Sequence, residues 1–192
     1  MLPANLPFTV GNDICRIARV RRILAGRLGP QFVRRILRTE EIQHPPTSRV
    51  LRCILDKGVQ SGAEEAGSVP ARDDATSFTR AVEFMAGRFA AKEAVIKAHP
   101  HRRLTFQRIA ILRTAADGPP ASAAGRERGA ARGEPDGAPQ SGPLVALVRA
   151  EGAFTDTYAS VSVSHDTEYA TAVCLGFNPG WEWKPGAVGG TR

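Results

Sequence analysis

"FTRAVEFMAGRFAAKEAVIKAH", residues 78–99, is the most regular stretch of the chain, and it sets two charges where a helix of this kind should be apolar. The pattern predicts a helix from Phe78 to Ala98, stopped by "HPH" at Pro100. On a wheel advancing 100° per residue from Phe78, the side chains of Val82, Met85, Phe89 and Ile96 fall within about 40° of it. They define the main buried stripe. Phe84 and Val95 lie on another face, so the helix is expected to be buried on more than one side. Lys92 and Glu93 straddle the stripe, and Lys97 follows Glu93 at the i,i+4 spacing that brings two side chains together.

Two readings of these charges compete. In one, Glu93 and Lys97 form an ordinary helical ion pair, and Lys92 extends its ammonium to water. In the other, Glu93 is a metal ligand or a base and the lysines hold phosphate, because a carboxylate beside an apolar stripe is costly unless paired or metal-bound. Lysine is a point charge suited to phosphate oxygens. The helix alone does not decide between them.

A second unusual acid stands near the start. "FTVGNDICRI" (8–17) reads as a short strand, a turn at Gly11, and then a helix over 16–27 with Ile17, Val20 and Leu24 on its apolar face. Asp13 is the only acidic residue before Glu40, among eight arginines between Arg16 and Arg38. It suits a helix N-cap. It equally suits Mg²⁺, which takes one or two carboxylates plus phosphate oxygens and water. Glu93 is then the natural second carboxylate.

Farther out, the chain alternates between patterned and unpatterned stretches. "PQFVRRILR" begins a second helix at Pro30, "RVLRCIL" (49–55) a third, and Pro45 and Pro46 close the unit between them. Residues 58–77 and 113–143 read as low-complexity insertions; the second contains no Ile, Leu, Val, Met, Phe, Trp, Tyr or Cys and cannot offset its ordering entropy by burial. "IAIL" (109–112) and "LVALV" (144–148) read as strands on either side of it. "YASVSVSH" (158–165) and "YATAVCLGF" (169–177) form a hairpin whose corner holds His165 and Asp166. A single domain over 1–178, with an irregular tail over 179–192, accounts for the whole chain.

Composition adds limits. The formal charge is +7, and 22 of the 26 basic residues are Arg, which invites an anionic partner. Three widely spaced cysteines make neither a disulfide framework nor a zinc site. No apolar run is long enough to span a membrane, and no signal-peptide core stands at the N-terminus.

Three stretches, "GNDICRIARV", "FMAGRFAAKEAVIKAH" and "SVSVSHDTEYATAVCLG", together resemble the holo-acyl-carrier-protein synthases, the small 4′-phosphopantetheinyl transferases. The order matches a G-x-D-I, an F-x-x-K-E-A-x-x-K-A helix and an S-x-S-H-D corner, and with "AHPHRRLTF" the chain is most similar to the stand-alone fungal form. Asn12 departs from the pattern, where Thr or Ile is commoner. The resemblance implies an α+β fold with helices on a small antiparallel sheet, and a trimer with active sites between subunits. It implies transfer of phosphopantetheine from coenzyme A to a serine of apo acyl carrier protein, releasing adenosine 3′,5′-bisphosphate. Asp13 and Glu93 then match Mg²⁺ ligands and Lys97 a lysine near the pyrophosphate. Glu93 is also the candidate base, and Arg88, Lys92 and His165 match positions at coenzyme A phosphates. Arg16, Arg19 and Arg22 would face the acidic carrier.

Two rival readings fit the residues less well. A nucleic-acid binder would use the same arginines, but between Arg16 and Arg38 the only aromatic is Phe32, so there is no stacking platform. An inactive homologue is opposed by three intact motifs. Neither nucleic acid nor membrane is expected as a partner. The Arg-rich, acid-poor start and the likeness to the fungal form point to the mitochondrion; Gly11 opens the motif so early that a cleavable leader has little room, and the cytoplasm is the alternative.

Overall fold

A computed structural model describes residues 6–56, 72–113, 144–150, 152 and 155–178. Strand β1 (Phe8–Arg16) leads into α1 (Ile17–Ala25), α2 (Gly29–Ile36), α3 (Thr39–Gln43) and α4 (Pro45–Leu55), followed by the long α5 (Arg72–Ala98). A 3₁₀ turn (Phe106–Arg108) precedes β2 (Ile109–Arg113), β3 (Leu144–Val148), β4 (Thr157–His165) and β5 (Tyr169–Phe177). The strands make one antiparallel sheet in the order β1-β5-β4-β3-β2. Helices packed on a small antiparallel sheet were expected, and that is the architecture. Most of the two insertions and the tail lie outside the described residues, but α5 begins at Arg72, six residues before its apolar pattern does.

Helix α5 is the spine. Alanines 81, 86, 90, 91, 94 and 98 are all buried along it, with Val82, Met85 and Val95. The wheel reading holds at Val82 and Met85 and needs correction at Phe78, Phe89 and Ile96, which are only partly buried, while the small residues extend burial to the other faces. Small side chains let backbones approach. A Cβ placed on Gly11 would lie 1.9 Å from the Ala94 carbonyl oxygen, and one on Gly176 2.6 Å from that of Ala98. Gly11 is therefore not a turn. β1 runs through it unbroken, and glycine is required because the helix backbone occupies the space of a side chain. The N-cap reading of Asp13 also fails, since Arg16 occupies that position before α1.

The helices cover one face of the sheet. On the other, Phe8 stands opposite Phe177 and Val10 opposite Leu175. Ile14 and Val173 extend the same exposed apolar surface.

Candidate active site

The close approach at Gly11 decides what happens two residues later. Alternation along β1 turns Asp13 to the same face as Gly11, toward the last turns of α5. There Lys97 Nζ donates to Asp13 Oδ1 at 2.8 Å and to the Asn12 carbonyl at 3.0 Å. The strand is held from its other side, where Thr171 Oγ1 donates to the Asp13 carbonyl and Asn12 Nδ2 to that of Ala172. Glu93 is partly buried one helical turn before Lys97. Burial raises its carboxyl pKa above the ordinary value, and the nearby Asp13 charge raises it further; Lys97 and Arg19 pull the other way. Asp13, Glu93, Lys97 and Arg19 thus share one electrostatic neighbourhood at the seam of β1, α1 and α5. The Lys97 ammonium is held charged, first by its hydrogen bond to Asp13.

Other expected site residues lie at varying distances from this seam. Arg16, Arg19 and Arg22 are all exposed, with Arg16 over the Tyr169 ring and Arg19 over that of Phe89. Beneath Arg19 a small pocket is lined by Cys15, Val20, Ile23, Phe32 and Phe89. His165 ends β4, exposed, in the cross-strand row that runs from Cys15 through Ala170. Two inter-strand steps put it about 10 Å from β1. Its neighbour Asp166 makes the corner, accepting the Glu168 and Tyr169 amides at 2.7 Å. Arg88 is partly buried and donates to the Ile111 carbonyl at 2.8 Å.

Lys92 requires the largest correction. It does not extend to water: its side chain is 0 % exposed, and Nζ meets Glu41 Oε2 at 2.5 Å. A buried ammonium held by a carboxylate is not presented to a ligand, so the structure does not place Lys92 at a coenzyme A phosphate. Burial pushes its pKa down, and Glu41 counters that effect. Glu41 itself was not singled out in the sequence. Its one local signal is its position three residues after Arg38, whose amide it accepts at the start of α3.

Two carboxylates and a lysine on a partly open seam are the equipment of phosphoryl transfer, in which positioning and charge neutralisation do most of the work. The sequence profile of the 4′-phosphopantetheinyl transferase superfamily matches residues 9–174, from the start of the Asp13 strand into the last strand of the sheet. The chain belongs to that superfamily and is a phosphopantetheinyl transferase. Among solved structures it is similar to a holo-(acyl-carrier-protein) synthase from Bacillus anthracis str. Ames, in complex with CoA (3′,5′-ADP). That comparison has 21% identity and a TM-score of 0.45, covering 88% of this chain and 95% of the other. The holo-ACP-synthase from Plasmodium yoelii gives 15% identity and a TM-score of 0.48, with coverage of 88% and 92%. No curated protein matches by sequence.

Proposed function

We propose that this enzyme transfers the 4′-phosphopantetheine arm of coenzyme A to a serine hydroxyl of an apo acyl carrier protein. The observation that carries the reading is the meeting of Asp13, Glu93 and Lys97 at one seam in a chain of this superfamily. The serine oxygen bonds to the phosphorus bearing pantetheine, and the bond from that phosphorus to the bridging oxygen breaks. The bridging oxygen leaves on adenosine 3′,5′-bisphosphate. Glu93 takes the serine proton; in the metal-free protein burial first, and the Asp13 charge second, raise its carboxyl pKa above the ordinary value. Lys97, half-exposed, offers positive charge to the departing phosphate.

The donor set fits Mg²⁺. Two carboxylates face each other's charge, and no cluster of three or more His, Cys, Asp or Glu forms a cage among the described residues. That suits an ion completed by substrate phosphates and water. Asp13 and Glu93 would hold it, and when bound it would neutralise charge on the pyrophosphate. His165 and Arg88 remain proposed contacts for coenzyme A phosphates.

The exposed Arg16, Arg19 and Arg22 suit an acidic carrier, and Arg19 is close enough to act on Glu93, so a partner held there lies beside the site. The assembly we propose is a homotrimer closed through the apolar outer face of β1 and β5, which no described element covers. Sedimentation should then give about 62 kDa, three times the 20.6 kDa chain. A monomer would remove the trimer from the account. The fungal mitochondrial type is the assignment we favour, on the motif likeness and the Arg-rich start; cytoplasmic fractionation of the full-length protein would contradict it.

Intact-mass spectrometry of apo carrier protein with enzyme and coenzyme A tests the transfer. A gain of one phosphopantetheine with Mg²⁺, absent with chelator, is expected. No gain from mitochondrial or cytosolic carriers, with folded enzyme, would return the chain to the inactive-homologue reading.

A further inference from the structure

We propose that the buried Lys92–Glu41 pair is a positioning device for transfer, fixing α5 so that Glu93 and Lys97 meet Asp13. Lys92 has three ammonium protons and three acceptors: Glu41 Oε2 at 2.5 Å, the Ile36 carbonyl at 2.8 Å and the Phe106 carbonyl at 3.2 Å. Glu41 is as fully used. Its Oε1 accepts the Ile111 amide at 3.1 Å, and its Oε2 accepts the Arg38 amide at 2.9 Å. One pair therefore ties α5 to the end of α2, the start of α3, the 3₁₀ turn and β2.

The opposite side of α5 explains why such a clamp is needed. There the helix meets β1 and β5 through Ala94, Ala98, Gly11 and Gly176, a contact between small residues. Small-on-small packing sets the distance between backbones but offers few ridges and grooves to resist sliding or rotation. Directional bonds do resist it, because the three Lys92 acceptors are met at only one helix rotation. Lys92 precedes Glu93 directly, so its azimuth sets that of the carboxylate, and Lys97 lies one turn on. A buried ion pair is a weak stabiliser compared with apolar packing of the same volume. Its contribution here is geometric.

The kinetic consequence rests on the transferase reading; the structural consequence does not. The test compares wild type with Lys92→Met/Glu41→Gln, with Glu41→Gln, and with the milder Glu41→Asp, which keeps the charge and shortens its reach. Four quantities are measured: melting temperature, kcat, calorimetric affinity for coenzyme A with Mg²⁺, and the rate at which an amine reagent labels Lys97 in free enzyme. In folded variants we expect kcat to fall about 10-fold or more while coenzyme A affinity stays within about 2-fold, since a misplacement near 1 Å is costly to chemistry. Lys97 should label several-fold faster as its contact with Asp13 loosens.

Unchanged kcat and unchanged Lys97 labelling would overturn the proposal. So would a 10-fold loss of coenzyme A affinity in the Lys92 variant that Glu41→Gln does not share, because Lys92 would then be a ligand. If wild type transfers nothing but Lys97 labelling responds as expected, the positioning stands and the transferase reading falls.

Discussion

Lys97 on α5 donates to Asp13 on β1 across 2.8 Å, and this cross-seam pair takes the place of the i,i+4 pair that Lys97 could make with Glu93 on its own helix. The lysine pairs with one of two neighbouring carboxylates, while burial first and the Asp13 charge second raise the pKa of the other, Glu93, against the lowering effect of Lys97 and Arg19. The site therefore holds one acid in a direct ion pair and a second, partly buried one without it, an asymmetry that suits different roles for the two carboxylates.

Asp13→Asn should lower kcat/KM by about 10²–10³-fold, the scale found when one group stabilising developing charge is removed. Its melting temperature should scarcely move, because the lost partner Lys97 is half in solvent. A collapse of stability alongside activity would show that the pair is structural.

Glu93 makes two signed predictions for metal-free protein. Its carboxyl titration, followed by NMR, should move down in Asp13→Asn, which removes a raising charge, and up in Arg19→Ala, which removes a lowering one. Because the folded pKa lies above the unfolded value, the native state holds the proton more tightly, and stability falls as pH rises through that window. Glu93→Gln should therefore melt at or above wild type near pH 7, with the gap closing below the unfolded carboxyl pKa of about 4.3. A Glu93→Gln variant less stable at pH 7 than at pH 4, relative to wild type, would contradict this.

Two glycines at the contact of α5 with the sheet should differ sharply in what a methyl costs. Gly11→Ala puts a methyl 1.9 Å from the Ala94 carbonyl, where only backbone can yield, and should cost about 3 kcal/mol or more along with activity. Gly87→Ala meets only the end of Val163 at 3.2 Å, and the helix gains from losing a glycine. Chemical denaturation should find it within about 1 kcal/mol of wild type, on either side.

Reversing Arg19 and Arg22 to Glu should raise KM for the carrier by about 10-fold or more and leave KM for coenzyme A within about 2-fold. Added salt should weaken carrier binding to wild type more than to the double variant. Equal effects on both substrates would count against docking on α1.

Lys92→Met alone should destabilise the fold by about 3–5 kcal/mol, because it leaves the Glu41 carboxylate buried without its cation. The loss should shrink when Glu41→Gln accompanies it. If it does not shrink, the two residues are not coupled.

The strands were the most legible part of the chain. Alternation in "SVSVSH" and the short link to "YATAVCLGF" read directly as β4 and β5, because one side of the hairpin packs on α5 and the other does not. The motif acids and Lys97 were legible as types and spacings, and the fold brings them together. Lys92 misled for a physical reason: a lysine beside an apolar stripe can reach water or a buried acid, and the acid here lies 51 residues away in sequence. Only the tertiary path of α3 reveals it. Gly11 misled because glycine marks both turns and close approaches, and a single strand does not say which. The buried stripe of α5 was right at Val82 and Met85 but overextended to Phe78, Phe89 and Ile96, because periodicity weights large apolar residues, whereas a sheet lying on a helix selects alanine and glycine.

Glu93 is proposed both to bind the ion and to take the serine proton. This double role is tested most directly by the transfer rate of Glu93→Gln, measured by intact mass of the carrier across an Mg²⁺ titration. The rate should fall at least about 10²-fold below wild type at limiting Mg²⁺, with saturating ion failing to restore it, since the amide can neither bind well nor accept the proton. Full activity at limiting Mg²⁺ would contradict both roles.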